Sequence, residues 1–216
     1  LDQAEAEVVS THLSPFSAEF LDEFMSTGRA NRGGEIREDF VFRHFLHRED
    51  GGSFVIAEDY EMQVVTTQTR SGSVTNYYYY YYDIIAFGIS DKGEIEWSGH
   101  IPKRQFSKND GGRASGYLPL VDGKQLHVFF NDHKANAKRF GTRRPNLMRN
   151  PRTSNVVAVT ITPEAEMTYT VLYNNGKDKV QTLPRRSASS ELIQGEAVFY
   201  SYRNNKVQFG SLQRAQ

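Results

Sequence analysis

Asp83-Ile84-Ile85-Ala86-Phe87-Gly88-Ile89-Ser90 returns 72 residues later as Asn155-Val156-Val157-Ala158-Val159-Thr160-Ile161-Thr162. The segment behind each copy keeps the same offset, because Glu94–Trp97 has its counterpart in Glu166–Tyr169. A third pair of segments follows the same spacing: Leu118–Gly123 matches Ser190–Gly195. Repetition on this scale predicts stacked supersecondary units, so it bears on architecture rather than on chemistry.

Short turns separate the apolar stretches, at Gly51-Gly52, Lys92-Gly93, Asp122-Gly123, Asn175-Gly176 and Asn204-Asn205. These residue types accept the positive φ that two-residue hairpin loops require. One unit is therefore predicted to contain four antiparallel strands and a variable insert, 59–82 in one copy and 131–154 in the next. The predicted fold class is all-β, with β-propeller-like units that are too few to close a ring. A β-sandwich built from the same hairpins is the alternative.

Two regions are predicted. Residues 1–35 form an acidic N-terminal segment with one short amphipathic helix over 14–27, which Ser14-Pro15 opens and Gly28 ends. This helix either packs on the core or docks into a partner groove. Residues 36–216 form the β-repeat domain, with units of about 44–115, 116–187 and 188–216.

Composition narrows the class of protein. The 216 residues carry a net charge of zero, but residues 1–133 hold 12 basic and 21 acidic side chains and the remainder holds 14 basic and 5 acidic ones. This uneven distribution of charge is typical of solvated faces. It is also typical of docking between surfaces of opposite charge, either within the chain or with a charged partner. The absence of cysteine excludes disulfides and thiolate metal sites. No apolar run reaches the roughly 20 residues of a membrane span. Because the chain begins at Leu1, we expect it to be processed or a fragment.

The most unusual motif is an unbroken run of six tyrosines in the first insert: Tyr77, Tyr78, Tyr79, Tyr80, Tyr81 and Tyr82. Together with 61–67 it is predicted to form a long hairpin that extends beyond the repeat core, with three rings on each face. Tyrosine offers a large, rigid contact area and a hydroxyl group, which suits recognition surfaces. A structural aromatic ladder, a protein-contact surface and a sugar-stacking surface are the three interpretations.

The second insert is a basic loop that includes Lys138, Arg139, Arg143 and Arg144, with no acidic residue from His133 to Ser154. A phosphate or nucleic-acid site is one interpretation, but a solvated or ion-pairing loop fits better, because the chain is neutral and the loop has one aromatic residue. No nucleic-acid partner is therefore expected. The acids at Glu35, Glu38, Asp39 and at Glu58, Asp59, Glu61 could serve glycoside cleavage only if they converge. No catalytic residue, cofactor or metal site is assigned, because no nucleophile, phosphate-loop or zinc motif occurs.

Asp83-Ile84-Ile85, the turn and strand of Asp91–Trp97, and Ile101–Gln105 resemble the repeats of uncharacterised bacterial cell-envelope or secreted proteins with propeller-like β-repeats. The resemblance covers about 36–132 and, more faintly, 155–212. It implies an exported protein located in the periplasm, on the cell surface or outside the cell, and it brings no catalytic residues.

These expectations combine into one function. The chain is predicted to be a non-catalytic β-repeat protein that binds another protein, or another chain of the same precursor, through the six tyrosines. A glycan-binding or glycan-cleaving protein is the alternative. No transmembrane segment is expected, and association with a membrane through a partner stays open.

Overall fold

The computed structural model describes residues 20, 40–141, 144–189 and 195–212. The helix predicted over 14–27 lies outside the described residues, apart from Phe20. The described part of the chain is all-β, with three antiparallel sheets, none of which closes on itself. The first sheet has the order β1-β2-β3-β4, with β5 paired to β3; the second has β6-β7-β8-β9 and the third β10-β11-β12.

The strands of the first sheet are β1 (Phe40–His47), β2 (Ser53–Thr69), β3 (Gly72–Ile89), β4 (Ile95–Ile101) and β5 (Gln105–Lys108). The second sheet consists of β6 (Tyr117–Asp122), β7 (Gln125–Asp132), β8 (Asn155–Ile161) and β9 (Met167–Asn174). The third consists of β10 (Ala188–Ser189), β11 (Ala197–Arg203) and β12 (Lys206–Leu212). Short 3₁₀ helices lie at Lys134–Lys138, Pro151–Thr153 and Pro184–Arg186.

The repeated stretch forms the third strand of both four-stranded meanders. Ile84 in β3 pairs with Ile101 in β4, and Val156 in β8 pairs with Tyr173 in β9, which preserves the 72-residue offset. The pairing with the preceding strand differs by one residue, because Ile84 is opposite Glu58 whereas Val156 is opposite Asn131. The repeat-like sheet architecture predicted from the sequence is therefore confirmed.

The three sheets pack face to face. One apolar cluster joins the first and second sheets, with Phe54, Ile84 and Trp97 from one side and Val128 and Val157 among those from the other. A second cluster joins the opposite face of the second sheet to the third sheet. The remaining face of the first sheet is covered by Phe20, whose ring centroid lies 6.0 Å from that of Phe87. Alternation along each strand thus supplies an apolar face to each neighbouring sheet.

Turn chemistry predicts most connections correctly. Asp122-Gly123 and Asn204-Asn205 join adjacent paired strands, and Asn204 and Asn205 have the positive φ values of 51° and 61° expected for a tight hairpin. The hairpin predicted at Asn175-Gly176 is wrong. There β9 ends at a buried turn and the next strand, β10, pairs with β11 instead. An Asn-Gly pair favours a turn, but it does not decide which strand the chain pairs with afterwards.

Asn175 is instead the centre of a buried polar network. It is fully buried, and its Nδ2 donates to Asn131 Oδ1 (2.8 Å) and to the carbonyl oxygen of Pro151 (3.0 Å). Its Oδ1 accepts from the backbone nitrogen of Thr182 (3.2 Å), and its carbonyl oxygen accepts from Arg203 Nη1 (2.9 Å). Because buried amides must be hydrogen-bonded, this network determines how the chain leaves the second sheet and enters the third.

Candidate functional site

The first insert is a long two-stranded hairpin. β2 and β3 stay paired from Tyr60↔Tyr81 out to Thr69↔Gly72, well beyond the part of β3 that pairs with β4. A register shift between Glu58 and Tyr60 separates this hairpin from the four-stranded part of the sheet. Among the described strands, only the short strand β5 continues alongside it, opposite 78–81. The predicted extension of the hairpin beyond the repeat core is therefore present.

The six tyrosines divide between the two faces of the hairpin. Cross-strand partners point to the same side, so Tyr77 and Tyr79 share a face with Val64 and Met62. The other face carries Tyr78, Tyr80 and Tyr82, together with Phe106 from β5. Tyr77 is 43% exposed and Tyr81 is 1% exposed, and the other four tyrosines are half-buried. The run therefore combines an exposed outer ring with a buried ring near its inner end.

Tyr81 anchors the base of the hairpin. Its ring centroid lies 4.8 Å from that of Tyr60, and the guanidinium carbon of Arg185 lies 4.9 Å from its centroid. Arg185 also donates to the carbonyl oxygens of Gly111 and Gly112, at 2.8 and 3.0 Å, which holds it over the ring. Burial raises the pKa of Tyr81 to about 12. This tyrosine is part of the folded core, as in the structural-ladder interpretation.

The outer part of the hairpin exposes a group of apolar side chains that we call the tip patch. Its members are each between about two-fifths and one-half exposed, with Met62, Val64 and Tyr77 on one face of the hairpin and Val65 and Val74 on the other. The remaining residues of this part of the hairpin are mainly threonine, serine and glutamine. Hydrogen bonds such as Thr66 Oγ1 to Thr75 Oγ1 (3.0 Å) hold the two strands together. The tip patch therefore places apolar side chains on both faces of a supported but solvent-exposed element.

The face of Tyr78, Tyr80 and Tyr82 carries cations over aromatic rings, and we call it the cationic face. The Lys108 ammonium lies 5.1 Å from the Tyr78 centroid, and the Arg149 guanidinium lies 4.9 Å from the Phe106 centroid. Arg104 lies 5.8 Å from the Tyr82 centroid. The rings contact one another as well, with 5.2 Å between the centroids of Tyr80 and Phe106. Such pairs position the cations without neutralising their charge.

The sequence interpretation missed this face. Arg104, Phe106 and Lys108 alternate at the strand period of two, and that pattern could have placed them on one side of a strand. Arg149 has no comparable signal, because it reaches Phe106 only through the pairing of Phe106 with Met148: the Phe106 backbone nitrogen donates to the Met148 carbonyl oxygen at 3.0 Å.

Glu58 and Glu61, two of the acids that could serve glycoside cleavage, do not converge on a cleft. Glu58 is 1% exposed, and its Oε1 lies 3.0 Å from Nζ of Lys103, which is fully buried. Its Oε2 lies 3.8 Å from Arg43. Glu61 lies on the opposite side of β2 and accepts from Gln63 at 2.6 Å. Glu58 and Glu61 are thus separated by the strand, and Glu35, Glu38 and Asp39 lie outside the described residues.

The basic loop is held by a buried polar cluster at its base. Lys138, Arg139 and Arg144 are exposed, while Arg143 lies outside the described residues. Asn136 donates to Asp132 Oδ1 (2.7 Å) and to the carbonyl oxygen of Asn146 (3.0 Å), and Tyr169 donates to Asp132 Oδ2 (2.8 Å). Burial raises the pKa of Asp132, opposed by these hydrogen bonds. This cluster therefore fixes the base of a loop whose described cations are exposed.

Within the described ranges, no three histidine, aspartate or glutamate side chains come together as metal ligands. None of the helices in the described part of the chain is long and apolar enough to cross a membrane. Comparisons of the chain with protein families, with curated proteins and with solved structures find no match.

Proposed function

We propose that this chain is a non-catalytic, secreted or cell-envelope β-repeat protein that binds another protein through the β2–β3 hairpin. The tip patch is the observation that carries this proposal. Five large apolar side chains stay between 43% and 52% exposed on an element that extends beyond its own sheet. Burying them in the core is impossible, because both faces of a two-stranded hairpin lie outside the sheet stack. Contact with a partner protein removes such a patch from water.

The proposal includes a place for the chain in a larger assembly. Three repeated sheets packed face to face resemble consecutive blades of a propeller, so we assign the chain to an incomplete propeller-like ring. The helix of residues 14–27 would cover the outer face of the first sheet, where Phe20 packs against Ala57, Ile85 and Phe87. The resemblance to bacterial cell-envelope repeats supports an exported location. The partner is another protein or another chain of the same precursor.

A glycan-binding protein is the second candidate, favoured by the exposed ring of Tyr77, on which a sugar could stack. A glycan-cleaving enzyme has less support than a glycan-binding protein. Glycosidases use two carboxyl groups that face each other across the scissile bond. Glu58 is enclosed by Lys103, and Glu61 lies on the other side of the strand. A sugar would also find the rings of Tyr78, Tyr82 and Phe106 already in contact with cations.

Site-specific photo-cross-linking in the producing cells tests the proposal. A photoreactive amino acid at Tyr77 or Val64 should give one discrete protein adduct, and the same amino acid at Val171 should not. Val171 is a matched control because it is 40% exposed and lies on β9, away from the hairpin.

With the adduct identified, affinity provides the second measurement. Replacing both Val64 and Tyr77 with serine should weaken binding of the purified partner by about 30-fold, or roughly 2 kcal/mol, the scale of hot-spot side chains. Val171→Ser with Ile95→Ser is the control pair. Equal binding by both double variants, or adducts with glycans alone, would contradict the proposal.

A further inference from the structure

A small cleft opens between β5 and the segment that follows Met148, next to the cationic face. Its walls are the segment from Phe106 to Asp110 and the segment from Met148 to Pro151, and its volume is about 240 Å³. This is below the roughly 300–1,000 Å³ of small-molecule pockets and suits one or two side chains. The base is apolar, formed by Phe106 and Met148, and the rim carries charge.

Two cations border the cleft without a carboxylate partner. Lys108 and Arg149 are exposed, and among the described residues neither forms an ion pair. Each is positioned by its ring, Tyr78 or Phe106, at about 5 Å from the centroid. A ligand that brings a carboxylate here meets donors that are already positioned, which reduces the ordering cost of binding.

The lining next to these cations is apolar. Phe106 and Pro151 are half-buried, and Met148 is 2% exposed. Two positioned cations beside an apolar wall suit a carboxylate-bearing segment that has an apolar neighbour.

The surrounding acids favour a polypeptide over a nucleic acid. Asp110 is at the rim, where its Oδ1 accepts from the Gly112 backbone nitrogen at 2.9 Å, and Glu61 lies on the same hairpin face as Tyr80. A continuous row of phosphates would be repelled by these charges, whereas separate carboxylates on a peptide can avoid them. Base stacking is also blocked, because cations already cover the rings of Tyr78 and Phe106.

We propose that this cleft binds an acidic segment of a partner polypeptide. One aspartate or glutamate carboxylate accepts from Lys108 and Arg149, and an adjacent apolar side chain lies in the cleft beside Phe106 and Pro151. This inference rests on the proposed function, because it specifies the chemistry of the protein that binds beside the hairpin.

Fluorescence anisotropy with the full chain tests whether the cleft binds an acidic segment. The probe is a short fluorescein-labelled peptide in which glutamate alternates with serine around one central phenylalanine. The reference peptide has glutamine in place of every glutamate. We expect the acidic peptide to bind at least about tenfold more tightly than the reference, with affinity that falls as salt rises.

Substitutions at the cleft test whether the acidic peptide binds there. Lys108→Gln with Arg149→Gln should weaken binding of the acidic peptide by about tenfold. The matched control, Lys177→Gln with Lys206→Gln, removes the same charge from exposed sites elsewhere and should change affinity less than about twofold. Circular dichroism of each variant confirms that it is folded.

Three results would overturn the inference: equal binding of both peptides, equal loss in the control pair, or tighter binding of a single-stranded oligonucleotide through Lys108 and Arg149. Cross-linking at Tyr77 separates the two proposals. An adduct that persists in the Lys108→Gln, Arg149→Gln variant, without acidic-peptide binding by the wild type, leaves the proposed function standing and rejects this site.

Discussion

Replacing Lys103 with methionine removes the ammonium group from the most deeply buried charge pair of the described residues. Lys103 is fully buried, Glu58 is 1% exposed, and Nζ lies 3.0 Å from Oε1. Lys103 Nζ also donates to Gln105 Oε1 at 3.4 Å. Methionine retains most of the volume of the lysine stem, so packing changes little and the main loss is the charge partner of Glu58.

The loss of stability in Lys103→Met depends on the groups that remain around Glu58. Breaking a buried ion pair by removing one member destabilises a protein by about 3–5 kcal/mol, because the other charge is left desolvated. Arg43 stays 3.8 Å from Oε2, but its side chain is 34% exposed, so it compensates only in part. We therefore expect Lys103→Met to lower the free energy of unfolding by about 4 kcal/mol. Adding Glu58→Leu should restore most of that loss, since an apolar pair needs no charge compensation.

Equilibrium unfolding in urea, followed by the fluorescence of Trp97, measures the effect. Trp97 lies in the cluster between the first two sheets, so its emission reports on their separation. With a slope of about 2 kcal/mol per M urea, the Lys103→Met midpoint should fall by about 2 M. A midpoint within about 0.5 M of the wild type, or a double variant less stable than the single one, would refute the reasoning.

The tyrosine run and the first turn give two further predictions. Tyr81→Ala should lower the free energy of unfolding by about 3–5 kcal/mol because it opens a buried cavity, while Tyr77→Ala should lower it by less than about 1 kcal/mol; equal losses in urea unfolding would contradict the division of the run. The hydrogen bond from Arg48 lowers the pKa of Asp50 to about 2. The stabilisation that comes from this lowered folded-state pKa is present above the unfolded value near 3.8 and is lost as the pH falls toward 2. The wild type should therefore exceed Asp50→Asn in urea midpoint at pH 6, keep about half of that advantage at pH 3 and lose most of it by pH 2; a difference independent of pH would argue against this reasoning.

Much of the fold could be predicted because its signals are local. Alternating apolar residues and glycine or asparagine turns define strands and hairpins over a few positions, and the 72-residue repeat places equivalent strands in equivalent sheets. The hairpin of the first insert is predictable for the same reason. The broken alternation of Phe40, Phe42 and Phe45 also has a local cause, since the pairing of β1 with β2 shifts between Phe42 and His44.

The position of each residue relative to the sheet stack is decided by tertiary structure. Six identical tyrosines give no sequence signal to distinguish them, yet Tyr81 is buried and Tyr77 is exposed because only the inner end of the run reaches the stack. Likewise, an Asn-Gly pair marks a turn, but only the packing of the second sheet against the third encloses Asn175.

The sequence by itself therefore determined the all-β class, the repeated meander and the projecting tyrosine hairpin. Tertiary structure alone decided the Glu58–Lys103 pair and the cleft between Phe106 and Arg149, whose members lie some forty residues apart in sequence. The physical reason is that strand formation depends on neighbours along the chain. Burial, charge pairing and cation–ring contacts depend instead on which faces meet when separate sheets pack together.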